Sequence, residues 1–136
     1  MLSRKAAREQ AFILIFEKSF NDYPIDEILE TAKLIRDFET DEYTVSVFKG
    51  VFDKLDEIDE YITKYSKGWS VKRIGRVPLS VLRLAIYEIC YRDDIPVGVS
   101  VNEAVELCKK YATNDDASFV NGILGTVSRS TESEEK

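Results

Sequence analysis

The chain has no histidine, two cysteines, three prolines and one tryptophan in 136 residues. Without histidine there is no imidazole to act as a base near neutral pH, no Cys-His nucleophile pair and almost no route to a zinc shell. The two thiols, Cys90 and Cys108, fall on apolar stretches, where they make half a tetrahedral metal site at most and read as buried small hydrophobes. Six glycines, at 50, 68, 75, 98, 122 and 125, form neither G-x-G-x-x-G nor G-x-x-x-x-G-K-[ST], so a loop that cradles nucleotide phosphates is not expected. No run approaches the roughly 20 apolar residues that span a bilayer. Arg4, Lys5 and Arg8 lead into an apolar stretch without the small-residue cleavage site of a secretory leader. The expectation is a soluble, cytoplasmic protein, with no membrane association, no cofactor and no enzymatic activity, because no nucleophile with a neighbouring base stands out.

What is present is charge and helical periodicity. The chain is 44% hydrophobic and 32% charged, enough for the core of one domain, and its net charge of −6 argues against a nucleic-acid partner. That average conceals segregation, since residues 1–20 carry +2, 21–66 carry −8, 67–92 carry +5 and 93–136 carry −5. Two basic islands, Arg4/Lys5/Arg8 and Lys67/Lys72/Arg73/Arg76/Arg83/Arg92, either form positive faces on an acidic body or scatter over a solvated surface.

Spacings of three and four residues predict an all-α fold of six or seven helices in two halves, about 1–68 and 69–127, forming one compact domain. Ser3 can cap a first helix to Phe20, striped by Ala7, Ala11, Phe12, Leu14, Ile15 and Phe16 and ended by Asn21-Asp22-Tyr23-Pro24. A second runs from about Ile25 to Phe38, with Glu39-Thr40-Asp41 as the break. A long run from Asp41 to about Ser66 is open to a split at Gly50 or between Asp53 and Asp56, and Lys67-Gly68 closes the first half. From Pro78 to Cys90 apolar residues occupy nearly every face, which predicts a central helix covered on all sides. Ser100 and Glu103 have the spacing of a capping box, and Asn114-Asp115-Asp116 that of a break and cap before a last helix through Val127. Residues 128–136, acidic and without aromatics, are expected to be a disordered tail.

Two groups have the chemistry of single-stranded RNA contacts. Arg4, Lys5 and Arg8 stand near Phe12 and Phe16, where cations could hold phosphate and an exposed ring could stack on a base. Tyr111, Asp115 and Phe119 bracket a polar interhelical loop, where rings and a carboxylate could meet base edges. The opposing reading puts the rings in the core, Phe12 above all and Phe16 less so because it falls at the edge of the stripe, and makes Asp115 an ordinary helix cap. Periodicity does not choose between these.

The blocks Val81-Leu-Arg-Leu-Ala-Ile-Tyr-Glu-Ile, Asp94-Ile-Pro-Val, Asn102-Glu-Ala-Val-Glu-Leu and Phe119-Val-Asn-Gly-Ile-Leu, with the opening Arg4-Lys5-Ala-Ala-Arg8-Glu9, resemble the NusB family of transcription antitermination factors. Each block is weak alone, but their order and spacing match from Ser3 to Leu124. The resemblance implies an all-helical protein that binds boxA RNA of ribosomal RNA leader transcripts together with the ribosomal protein NusE, within the RNA polymerase antitermination complex. Position by position, it implies RNA contacts at Arg4, Lys5, Arg8, Phe16, Tyr111, Asp115 and Phe119, and assigns no partner-contact residue. Ala6 stands where many relatives have another basic residue, Phe16 where some have tyrosine, and Pro78-Leu79 where many have an acidic and a basic residue. The last departure implies a NusE contact that is either less polar or weaker. The alternative function is a helical interaction adaptor of the same fold with little RNA affinity; a third, the accessory domain of an rRNA-modifying enzyme, would need a catalytic domain for which no room is expected.

Overall fold

The computed structural model describes residues 2–35, 41–67 and 69–135. Among them are seven α-helices and no strand: α1 (Arg4–Lys18), α2 (Ile25–Ile35), α3 (Glu42–Asp53), α4 (Leu55–Tyr65), α5 (Arg76–Tyr91), α6 (Val97–Tyr111) and α7 (Asn114–Glu135), with a single 3-10 turn at Val71–Arg73. The end expected for the second helix at 36–38, the break at Glu39-Thr40 and the residue Gly68 lie outside the described residues.

The helix starts follow from local chemistry. Ser3 caps α1 by accepting a hydrogen bond from the Ala6 amide at 3.1 Å, and Asp41 caps α3 through the Thr44 amide at 3.1 Å. The long third run does split, at Lys54, whose φ of −107° and ψ of 18° leave the helical region between α3 and α4. A core of apolar side chains from every helix surrounds α5, which touches α1, α3, α4, α6 and α7. Its all-round apolar sequence is the reason: Leu79, Val81, Leu82, Leu84, Ala85, Ile86 and Ile89 are all buried, so every flank requires cover.

Three expectations about ends are overturned. The Ser100–Glu103 capping box does not form, because α6 begins three residues earlier at Val97, behind Pro96, whose fixed φ suits a helix start. Ser100 is buried inside that helix and donates to Glu88 Oε1 at 2.8 Å, while Glu103 pairs with Lys5. The cap of α7 is Thr113, whose hydroxyl accepts from the Asp116 amide at 3.0 Å, so Asp115 is not the cap. The expected disorder from residue 128 is replaced by helix to Glu135. Val127 is buried, the Ser130 hydroxyl meets Tyr65 Oη at 2.7 Å, and extending an anchored helix adds one backbone bond per residue fixed.

Candidate nucleic-acid interface

On α1, Lys5, Glu9, Phe12 and Phe16 follow at intervals of four, three and four, and so share one face. Phe12 is buried and is the inner support of this face, with its ring 5.1 Å from Tyr111 and 6.2 Å from Phe16. Phe16, half-buried, meets Phe20 edge-on at 4.8 Å, and Phe20 is exposed. The guanidinium of Arg76 lies 4.1 Å from the Phe20 ring centre and donates to the Ser19 carbonyl at 2.8 Å, locking the start of α5 to the end of α1. A row of rings from Tyr111 to Phe20 thus ends in a cation.

The Glu9 carboxylate holds the other end of the row. It accepts from Lys110 Nζ at 2.7 Å and from the Tyr111 hydroxyl, and these two donors hold it below the usual carboxylate range. The bond from Glu9 in turn raises Tyr111, so the phenol stays protonated and oriented as a donor. Beyond Tyr111, α7 carries the exposed Asp115 in its first turn, where a carboxylate complements the helix dipole. One turn on, Phe119 is half-buried and meets the exposed Trp69 edge-on at 6.2 Å.

The three N-terminal cations do not form one fork. Arg4 bridges to Asp94 at 3.6 Å and lies 4.4 Å over the Tyr43 ring, and Lys5 reaches Glu103 at 3.6 Å; both are substantially exposed. Arg8 departs from expectation. Only 4% exposed, it donates through Nε to Glu88 Oε2 at 2.9 Å, on the far side of α1 from solvent. Glu88, wholly buried on α5, also accepts from the Tyr43 hydroxyl and from Ser100. One carboxylate therefore joins α1, α3, α5 and α6, and burial together with its charge pushes the Tyr43 phenol well above the ordinary range. Arg8 is part of the scaffold that fixes α1, not of the surface.

The structure thus gathers Lys5, Phe16 and Tyr111 on one flank, sets Asp115 and Phe119 in the first two turns of α7 just after Tyr111 in the chain, leaves Arg4 exposed and withdraws Arg8. Sequence reasoning missed Glu9, Phe20 and Lys110 as members of this face, and Trp69 as the ring that flanks it at Phe119. Phe20 continues the 12, 16, 20 spacing and could have been found by it, whereas Trp69 lies outside any helix and has no periodic signal. Pro78 and Leu79 are buried in the chain itself, so they do not supply the less polar partner surface expected of them. Asn102 and Asn121, from two of the family blocks, are exposed along a groove between α6 and α7. Among the described residues no cluster of His, Cys, Asp or Glu could hold a metal ion, and no helix is long and apolar enough to cross a membrane.

Comparison with known proteins gives the same arrangement a lineage. The sequence model of the NusB family matches residues 5–129. The transcription antitermination protein NusB of Acetivibrio thermocellus is 48% identical over 130 residues, covering 93% of this chain and 88% of that one. Thermotoga maritima NusB superposes with a TM-score of 0.84 at 33% identity over 94% of this chain and 92% of its own. A crystal structure of antitermination factors NusB and NusE in complex with dsRNA contains a chain that matches with a TM-score of 0.84 at 26% identity, over 93% of this chain and 96% of that one. The family is one of transcription antitermination factors and not of enzymes. With a family match over nearly the whole length and close relatives of the same fold, this chain belongs to the NusB family.

Proposed function

We propose that this protein is an RNA-binding antitermination factor that engages boxA of ribosomal RNA leader transcripts together with NusE, in the bacterial cytoplasm, and promotes read-through by RNA polymerase in rRNA operons. The observation that carries this reading is the row of rings Tyr111, Phe16 and Phe20, with Phe119 in the first two turns of α7, set beside the cations Lys5, Lys110 and Arg76. Phenyl faces recognise bases only when those bases are unstacked, so the arrangement suits single-stranded RNA over duplex. In this role Phe16, Tyr111 and Phe119 stack on bases, Asp115 accepts from a base amino group, and Arg4 and Lys5 hold phosphates. Their present partners are weak competitors, because an exposed ion pair such as Lys5–Glu103 contributes about 0.2–1 kcal/mol. Arg8 serves through the buried pair that seats α1.

The rival reading, an adaptor of the same fold with little RNA affinity, draws on the neutralisation of Arg4 and Lys5 by Asp94 and Glu103. Fluorescence anisotropy separates the two. A labelled single-stranded boxA RNA, a scrambled RNA and the matched duplex are titrated at fixed moderate salt, with and without NusE. The antitermination reading expects selective binding of the single strand, strengthened by NusE. No preference for boxA with NusE bound would leave the adaptor, and equal binding of the duplex would overturn the single-strand part.

A further inference from the structure

The face described above leaves the chain's one tryptophan without a task. Trp69 lies between α4 and the 3-10 turn, is 51% exposed, and lines an open cleft of about 540 Å³ with Lys67, Ser70 and Arg73. An indole that only completed the core would be covered, since a buried aromatic of this size removes a large apolar area from water. Here one edge is held by Phe119 and the rest faces solvent beside cations.

Those cations differ from the N-terminal ones in having no acidic partner among the described residues: Lys67, Lys72 and Arg73 are exposed and unpaired, whereas Arg4, Lys5 and Arg8 all face carboxylates. Lys67 is held at a φ of 56°, a left-handed backbone conformation that residues other than glycine rarely adopt, and it does so at the rim of this cleft. Strain of that kind, an exposed indole and two unneutralised charges, Lys67 and Arg73, coincide at one cleft beside Phe119.

We propose that this cleft is a further nucleotide subsite, in which Trp69 stacks on an unpaired base next to the one on Phe119 while Lys67 and Arg73 hold the adjoining phosphates. It rests on the RNA reading above and extends the track of the strand past α7 along the link between α4 and α5. The ligand is a pyrimidine or purine nucleotide flanking the boxA element, taken without sequence preference, since every base offers a face to an indole and the charges meet only the backbone.

Because Trp69 is the only tryptophan, its intrinsic fluorescence reports this cleft alone. The full chain is titrated with an RNA that ends at the boxA element and with one carrying a few further uridines at each end, following RNA anisotropy and indole emission together. The extended RNA is expected to bind at least about fivefold more tightly and to quench Trp69 more deeply than the short one. Trp69→Ala and Arg73→Glu should abolish that gain and leave affinity for the short RNA within about twofold, and Trp69→Phe should restore most of it, because a phenyl ring still stacks. Tight binding of both RNAs with unchanged emission, or a gain that survives Trp69→Ala, would overturn the subsite and leave the boxA reading standing. Failure of either RNA to bind the native chain would overturn both.

Discussion

Truncating Arg8 leaves a wholly buried Glu88 with only Tyr43 and Ser100 as donors. Breaking a buried ion pair from one side costs about 3–5 kcal/mol, so Arg8→Met is expected to lower stability by that amount in urea denaturation, and adding Glu88→Gln should recover much of the loss by removing the stranded charge. A charge reversal at Arg8 would therefore report unfolding and not RNA contact, while Lys5→Glu, at the surface, tests the contact itself. A second expectation concerns the thiols: burial pushes Cys108 up to about 12, so at pH 8 iodoacetamide should modify at most one thiol per folded chain and both after denaturation, as read by mass spectrometry. A third concerns acid. The paired bonds from Arg92 hold Asp94 down at about 2, so this carboxylate's contribution is present above the ordinary Asp range near 4 and is lost as pH falls towards 2. An NMR titration should place Asp94 near 2 in the native chain and back in the ordinary range in Arg92→Met. At this scale the sequence was half legible. The stripe placed Phe12 inside and Phe16 at the edge, but Arg8 looked like a surface cation because its partner lies 80 positions away. The missed signal was Glu88 itself, the one acid between residues 67 and 92, set in a helix that has no solvent face.

Helices were read from spacing and their ends from capping chemistry, and the first was the better guide. The stripes located every helix, α3 and α4 as one run open to a split, since each buries one flank against α5 or its neighbours. Starts failed where a tertiary partner outbid a local one: Ser100 could have capped a helix at its own position, but in the fold it is one turn inside α6, bonded to Glu88. The α3 and α5 helices approach closely at Gly50, where a methyl group would overlap the Tyr87 ring. Glycine to alanine inside a helix ordinarily gains about 1 kcal/mol. Gly50→Ala is expected to show no such gain, and to show it in a Tyr87→Ala background, because the atoms nearest to the added methyl all belong to the Tyr87 side chain. Thermal denaturation of the four proteins of this cycle measures the coupling, and additive effects would mean that α3 and α5 do not meet there.

For the molecule as a whole, segregation of charge along the sequence is only partly segregation on the surface. Of the basic residues between 67 and 92, Arg83 is spent on a two-bond pair with Asp59 at 3.0 Å and Arg92 on Asp94, while Lys67, Lys72 and Arg73 remain open. The acidic remainder of a chain at −6 repels polyanions except where cations and rings stand together. On the proposed reading, RNA is therefore confined to the edge built from α1, the end of α6 and the start of α7, with the Trp69 cleft beside it. The decisive measurement is the affinity of a single-stranded boxA RNA for the native chain and for Phe16→Leu and Phe119→Leu, which keep apolar packing and lose the ring face. With circular dichroism unchanged, each substitution is expected to weaken binding at least about fivefold, the loss of one stacked base. Affinities within twofold of native for both would contradict the assignment of this edge as the RNA-binding face.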